Sequence, residues 1–366
     1  MSIYGNIEEY FSINVLGGIM GSRKSNNNKA LRYASLDGVR GMAFIFVFLG
    51  HLLQMSNIQQ SFILGKVGVW LFFVLSAFLL TSYFISQPAK ALIGKEWLNY
   101  ALRRVCRIYP LYVVILSTDC IAFKFLIHDF KSLLNHILLL EGQGHFWTIP
   151  VEMKYYAMLP IVVLFLIYVV KLNPKWAVLF LVGLLVVHYF LITYVPQDIK
   201  LVTYLPLFLV GSVAAVIQNY LKEHELSLKL QLYFDVFAVF MLAGMLFIMP
   251  ICSLFIKTDK VMFPLNNSIG YGVAWGIFII SVLNGKGFLR KIFELTAIRK
   301  IGQISFGAYL LQSYFIFFIA PTYFKFPLII KNTLIIVLTY SIAYILHITV
   351  EKQFQKVNMY SLKNDL

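Results

Sequence analysis

Charge is scarce in this sequence, and acidic charge scarcest. Of 366 residues only 13% are Asp, Glu, Lys or Arg, and 31 bases face 16 acids for a formal net charge of +15. A soluble domain carries about 25% charged and about 45–50% apolar residues, whereas here the hydrophobic share is 60%. That balance excludes a large water-soluble enzyme, and the surplus of apolar surface also excludes a disordered chain. Glycine (22) and proline (11) are too few for a fibrous or low-complexity protein. Cysteine is nearly absent. Cys106, Cys120 and Cys252 are odd in number and lack Cys-x-x-Cys spacing, so neither a disulfide framework nor a metal site is expected. No cleavable leader is expected either: the apolar stretch from Phe11 to Met20 is short and follows Glu8 and Glu9, where such a signal carries Lys or Arg.

Long apolar runs are what the sequence has instead. A helix crossing about 30 Å of hydrocarbon needs about 20 mostly apolar residues. Ten such segments are predicted, at 38–56, 64–83, 108–126, 153–171, 175–194, 201–218, 232–256, 265–284, 305–324 and 328–350. The expected fold class is therefore all-α, a polytopic bundle of about ten transmembrane helices. Residues 1–34 read as a flexible tail, 35–351 as the membrane domain and 352–366 as a second tail. With the N-terminus inside, the inner segments hold 22 Lys and Arg against 8 outside, a bias that puts both termini in the cytoplasm. Topology thus accounts for most of the positive charge, and no nucleic-acid partner is expected. The longest polar segments are the N-terminal tail, an inner loop at 84–107 and an outer loop at 127–152. No repeat and no pair of interrupted spans of the transporter kind is visible. Any chemistry must sit among the helices.

Four places could carry it. The first span contains Arg40 and His51, 11 residues apart; at about 100° per residue both leave one face, about 16 Å apart along the axis. An ionisable group inside a membrane is a functional candidate by default, although His51 also reads as an interior histidine and Arg40 as an interfacial anchor. The second span puts Gly65, Gly68, Phe72 and Ser76 on one stripe, suited to close helix packing or to a slot for a thin ligand. Before the third span stands Arg103-Arg104-Val105-Cys106-Arg107-Ile108-Tyr109-Pro110. There Arg104 and Arg107 share a face, either converging on phosphate oxygens or acting as ordinary anchors. Trp147 and Glu152 open the fourth span beside Tyr155 and Tyr156, where the aromatics also fit an interfacial belt. Asp119 falls mid-span with no partner evident. His128, His136 and His224 fall in expected loops, where alanine should be nearly silent.

The order of these pieces resembles the membrane-bound acyltransferase-3 family. The matching residues are Leu36-Asp37-Gly38 with Arg40-x10-His51; Phe72-Phe73-Val74-Leu75-Ser76; Arg104-x-x-Arg107 before Tyr109-Pro110; Trp147 followed by Glu152; and Ile301-Gly302-Gln303-Ile304-Ser305-Phe306-Gly307-Ala308-Tyr309-Leu310-Leu311. Two positions depart from the family pattern: Ala77 replaces a glycine after Ser76, and Gln312 stands where many members have histidine. Members often carry an SGNH-type soluble domain as well; none is expected in a sequence ending at Leu366.

The resemblance implies a multi-pass enzyme of the bacterial inner membrane that passes an acyl group, most simply acetyl, from acyl-CoA to a hydroxyl of a surface or lipid-linked glycan, without a metal. His51 would be the general base, its ordinary pKa of about 6.5 suiting proton transfer at neutral pH, with Glu152 as the second catalytic residue orienting His51 or the acceptor. Arg104 and Arg107, with Arg40, Arg103, Tyr109 and Ser76, would hold the acyl-CoA. Trp147, Tyr155, Ser305 and Tyr309 would line the acceptor side. Other classes remain open from sequence: a transporter with His51 and Arg40 in its translocation site, or a family member that has lost catalysis.

Overall fold

The computed structural model describes residues 33–55, 62–194, 200–246 and 267–356. Most of the expected N-terminal tail, the Phe11–Met20 stretch, the end of the seventh segment with Cys252, and residues 357–366 of the second tail lie outside them. These described residues belong to one compact unit. Among the described residues the structure is helical throughout, in the order α1 (Ala34–Met55), α2 (Phe62–Ile85), α3 (Gly94–Thr118), α4 (Phe130–Ile137), α5 (Thr148–Leu164), α6 (Pro174–Leu191), α7 (Lys200–Lys222), α8 (Leu228–Leu246), α9 (Asn267–Asn284), α10 (Phe288–Glu294), α11 (Thr296–Ser313) and α12 (Leu328–Leu346). Nine of the described helices are long and apolar enough to cross a membrane, and α9 with α10, bent by 88° at their junction, makes up to ten. The polytopic bundle expected from the apolar runs is the one observed.

Helices that are hydrophobic all round leave their neighbours to decide which face is buried. α1, α2, α7 and α11 form the interior and pack mainly on one another. α6, α8 and α12 bury only a small part of their length and turn residues such as Val182, Val186, Phe190, Val236, Phe240 and Val337 outward, as lipid-facing helices must. Small residues set the interior spacing. A methyl on Gly302 of α11 would stand 1.8 Å from the Asp37 carbonyl oxygen of α1, and one on Gly41 would stand 2.5 Å from that of Ile298, so α1 and α11 touch backbone to backbone. In the glycine stripe of α2, Gly68 lies against the Ala43 carbonyl, where packing is the outcome, while Gly65 has only His51 Nε2 and the Val47 carbonyl at 3.9 Å and leaves room.

Two segments differ from the hydropathy reading. α3 begins at Gly94 rather than near residue 108, so Arg103, Arg104 and Arg107 lie within the helix and not ahead of it. Its first turns are polar on one side, and Trp97 stacks on Phe84 at 3.9 Å to hold them against α2. The expected outer loop at 127–152 is folded into the bundle: Ile127 and Phe146 are fully buried, as is His136. Asp119 turns the chain at the end of α3 by accepting the backbone N–H groups of Phe125, Leu126 and Ile127 at 3.0, 2.9 and 2.7 Å; its partner is the backbone of the next loop. His136 donates from Nδ1 to the Ser132 carbonyl at 2.8 Å and accepts the Gln143 N–H on Nε2 at 3.0 Å, so the expectation of a replaceable loop histidine gives way to a structural one. Gly144, at φ +52°, makes the turn that sends the chain back into the bundle.

Candidate active site

The interior helices bring two polar clusters together at different depths. The first is built from arginines. Arg40 of α1 lies within electrostatic reach of Arg107, Asp37, Tyr156 and Glu152, and Arg104 within reach of Arg107, Tyr156, Tyr100 and Glu152. Glu152 is their shared carboxylate. Its Oε1 accepts from Ser76 Oγ at 2.7 Å and from the Tyr156 hydroxyl one turn along α5. Tyr100 of α3 donates to the Tyr156 carbonyl at 3.2 Å and so ties the helix bearing Arg104 to the one bearing Glu152. Arg104 Nε is buried with no hydrogen-bond partner. A buried guanidinium with a donor left over is suited to grip an anion, since its planar fork matches phosphate oxygens.

The second cluster lies at the far end of the Arg40–His51 face, about 16 Å away along α1. His51 meets Phe317 edge to face at 5.6 Å and lies beside the Gln312 amide. His145, from the short turn Gly144–Trp147 ahead of α5, is close enough to His51 for their charges to interact. Its Nε2 sits 2.9 Å from the Leu310 carbonyl. Its own carbonyl accepts the Tyr309 hydroxyl at 2.7 Å, and Thr148 Oγ1 donates to Tyr309 at 3.2 Å. Beyond Ser313 the chain widens into a π-helical turn, Tyr314–Ile319, a local form found at functional sites. His51 Nδ1, His145 Nδ1 and both polar atoms of the fully buried Gln312 side chain lack a hydrogen bond.

The structure therefore gathers Arg40, Arg104, Arg107, Glu152 and Ser76 in one cluster, and places His51 near Tyr309 in the other. Glu152, read from sequence as orienting His51 or the acceptor, has the arginines as its surroundings. Arg103 does not join them: its Nε donates to the Asn99 carbonyl at 3.2 Å and its Nη2 lies 4.0 Å from Glu96. Tyr109 donates to the Ile137 carbonyl at 3.3 Å, Ser305 bonds within its own helix to Gly302 at 2.9 Å, and fully buried Tyr155 shares a 2.7 Å bond with Ser212. Trp147 packs between Phe73 and Tyr204, with the Lys200 ammonium 5.6 Å from its ring. His145, Tyr156 and Tyr100 were not singled out by the sequence. Tyr156 is signalled by its i,i+4 spacing from Glu152, whereas His145 lies in a stretch that hydropathy assigns to a loop. Among the described residues no three His, Cys, Asp or Glu side chains gather as a metal ion would need.

An arginine cluster built from α1 and α3, with an imidazole further along the same face of α1, in the order of the motifs set out above, suits a long anionic substrate whose reactive end lies away from its phosphates. Comparison with known proteins agrees: the acyltransferase domain model matches residues 33–348. The chain belongs to the acyltransferase-3 family. O-acetyltransferase OatA of Staphylococcus aureus (strain NCTC 8325) is 25% identical over 324 residues, covering 79% of this chain and 51% of the relative. Peptidoglycan O-acetyltransferase OatA of Listeria monocytogenes is 24% identical over 309 residues, covering 75% and 48%. The chain thus spans about half the length of these relatives. No solved structure matches it. Membership of this family makes the two clusters the natural candidates for donor and reaction sites of an acyltransferase.

Proposed function

We propose that this protein transfers an acetyl group from acetyl-CoA to a hydroxyl of a glycan, in free or lipid-linked form, in the cytoplasmic membrane of a bacterium. One observation carries the reading: Arg40 and the His51 imidazole share one face of α1, about 16 Å apart along its axis, a span much of which a pantetheine arm covers, and α3 brings Arg104, with its unpartnered Nε, and Arg107 to the Arg40 end. The relatives described as O-acetyltransferases support acetyl as the acyl group, and the Listeria protein supports a glycan as acceptor. The loop-charge bias supports a cytoplasmic position for the arginine end and so for the donor.

Arg104, Arg107 and Arg40 bind the donor phosphates, while Glu152, Ser76 and Tyr156 hold the guanidinium groups in register. The thioester then lies near His51. The acceptor oxygen bonds to the thioester carbonyl carbon as its proton passes to His51. Gln312 supplies an unpartnered N–H donor beside His51, suited to the oxyanion that develops. Collapse of the tetrahedral adduct breaks the C–S bond, and His51 returns the proton to the departing thiolate. Purified protein given acetyl-labelled acetyl-CoA should pass label to a glycan and, more slowly, to water. Absence of both, with no binding of acetyl-CoA in a titration, would overturn the reading.

A further inference from the structure

Four buried polar atoms that make no close hydrogen bond belong to three neighbouring side chains: Nδ1 of His51, Nδ1 of His145, and the amide oxygen and nitrogen of Gln312. Buried polar groups are nearly always hydrogen-bonded, so such a concentration calls for an explanation. The proposed base accounts for His51, the oxyanion donor for the Gln312 nitrogen, and the neighbouring His51 ring for the Gln312 oxygen. His145 is left over, and its chemistry is set by its surroundings. A carbonyl oxygen can only accept, so the 2.9 Å contact with Leu310 puts the proton on Nε2. In the neutral ring Nδ1 then carries a lone pair, and a second proton there would bury an unpaired charge, which is costly.

The position of that lone pair is also fixed. The Tyr309 hydroxyl holds the His145 carbonyl at 2.7 Å. Tyr314 meets the His145 ring edge to face at 5.8 Å, as Phe317 meets His51 at 5.6 Å. Residues 314 and 317 lie on the same π-helical turn, so one short segment supports both imidazoles. We propose that His145 is an acceptor-binding residue whose Nδ1 accepts a hydrogen bond from a second O–H or N–H of the acceptor, next to the hydroxyl that His51 deprotonates. This rests on the acyl-transfer reading and deepens it: the acceptor class is a sugar with a donor group beside its reacting hydroxyl, rather than an isolated alcohol.

Two amide substitutions separate this role from a merely structural one. In His145→Gln the side-chain amide reaches the place of Nε2 and can keep the Leu310 bond, but nothing replaces the Nδ1 lone pair. In His145→Asn the amide oxygen takes the place of Nδ1, and the Leu310 bond is lost. With labelled acetyl-CoA as donor and a soluble N-acetylglucosamine oligosaccharide as acceptor, we expect His145→Gln to raise the acceptor KM about tenfold, the worth of one hydrogen bond, with the KM for acetyl-CoA unmoved. His145→Asn should recover part of that loss. The reverse order, Asn worse than Gln, or equal losses in both, would make His145 a structural anchor and overturn the proposal; so would acceptor KM values unchanged in both. Wild-type protein that hydrolyses acetyl-CoA but never labels the oligosaccharide would overturn this proposal and leave the donor half of the proposed function standing. Wild-type protein that turns over no acetyl-CoA would overturn both.

Discussion

In the proposed mechanism His51 and Arg104 divide the chemistry at the residue scale, and substitutions should separate them. His51→Gln keeps a polar side chain in the same interior but cannot act as a base, so transfer should fall by about 10²–10⁴-fold with the protein still inserted in the membrane, checked by glycan acetylation beside a membrane-fraction blot. Wild-type acetylation would remove His51 as the base. Arg104→Ala should weaken acetyl-CoA binding more than it slows turnover, because a phosphate contact is made equally in ground and transition states. Arg104→Lys should recover only part, since a point charge does not reproduce the planar fork. An acetyl-CoA titration in detergent decides it: loss confined to kcat, with donor affinity unchanged, would take Arg104 out of phosphate binding. A third substitution tests structure rather than chemistry. His136→Ala leaves the Ser132 carbonyl and the Gln143 N–H without their partner. With two part-buried hydrogen bonds lost at about 1 kcal/mol each and the space of a fully buried ring emptied, it should lower the thermal unfolding temperature, and an unchanged melt would show that the 127–147 segment does not depend on this residue.

Among the elements, α1 and α11 are the pair on which the site depends, because one carries Arg40 and His51 and the other Tyr309, Leu310 and Gln312. Gly302→Ala would drive a methyl into the Asp37 carbonyl, and backbone gives way less readily than a side chain. We expect a loss of about 1–3 kcal/mol or more, read as a lower melting temperature together with weakened transfer. Gly183→Ala on α6 meets nothing within 4 Å and should be neutral or slightly stabilising, since alanine is the better helix former by about 1 kcal/mol. Equal melts for the two variants would contradict the close α1–α11 contact. The same elements show what the sequence made legible. Arg40 and His51 could be placed on one face because helical period is a local property, and the spans were visible because lipid demands uninterrupted apolar length. The polar start of α3 was missed because a hydropathy criterion discards an amphipathic turn that Trp97 holds in place. The inward fold of 127–147 was missed for a different reason: Asp119 and His136 act through backbone groups, and no side-chain pattern in the sequence records that. Hence the sequence places Glu152 beside His51 or the acceptor, whereas its surroundings are arginines from α1 and α3 on one side and Tyr309 on the other, and His145 carries no signal in the sequence.

For the whole molecule, the proposed function ties donor and acceptor to opposite faces of the membrane. Lys222, at the end of α7, lies 4.4 Å from the Tyr33 ring, so the α7–α8 turn containing exposed Glu225 is at the same end of the bundle as the start of α1 and the arginines. Exposed Gln143, bonded through its N–H to His136, stands two residues before His145 at the other end. On the proposed orientation, with the excess of 22 to 8 basic residues inside, the first end faces the cytoplasm. Acetyl-CoA would then reach the arginines from inside while the glycan reaches His51 and His145 from outside, and the acetyl group would cross the membrane in the act of transfer. With the native cysteines replaced, Gln143→Cys should react with a membrane-impermeant maleimide in intact cells, and Glu225→Cys only after permeabilisation. Labelling of Glu225→Cys in intact cells, with Gln143→Cys labelled only after permeabilisation, would reverse the orientation. Donor and acceptor would then have to share a face or exchange sides, and the two-sided mechanism would fail even if His51 and the arginines kept their roles.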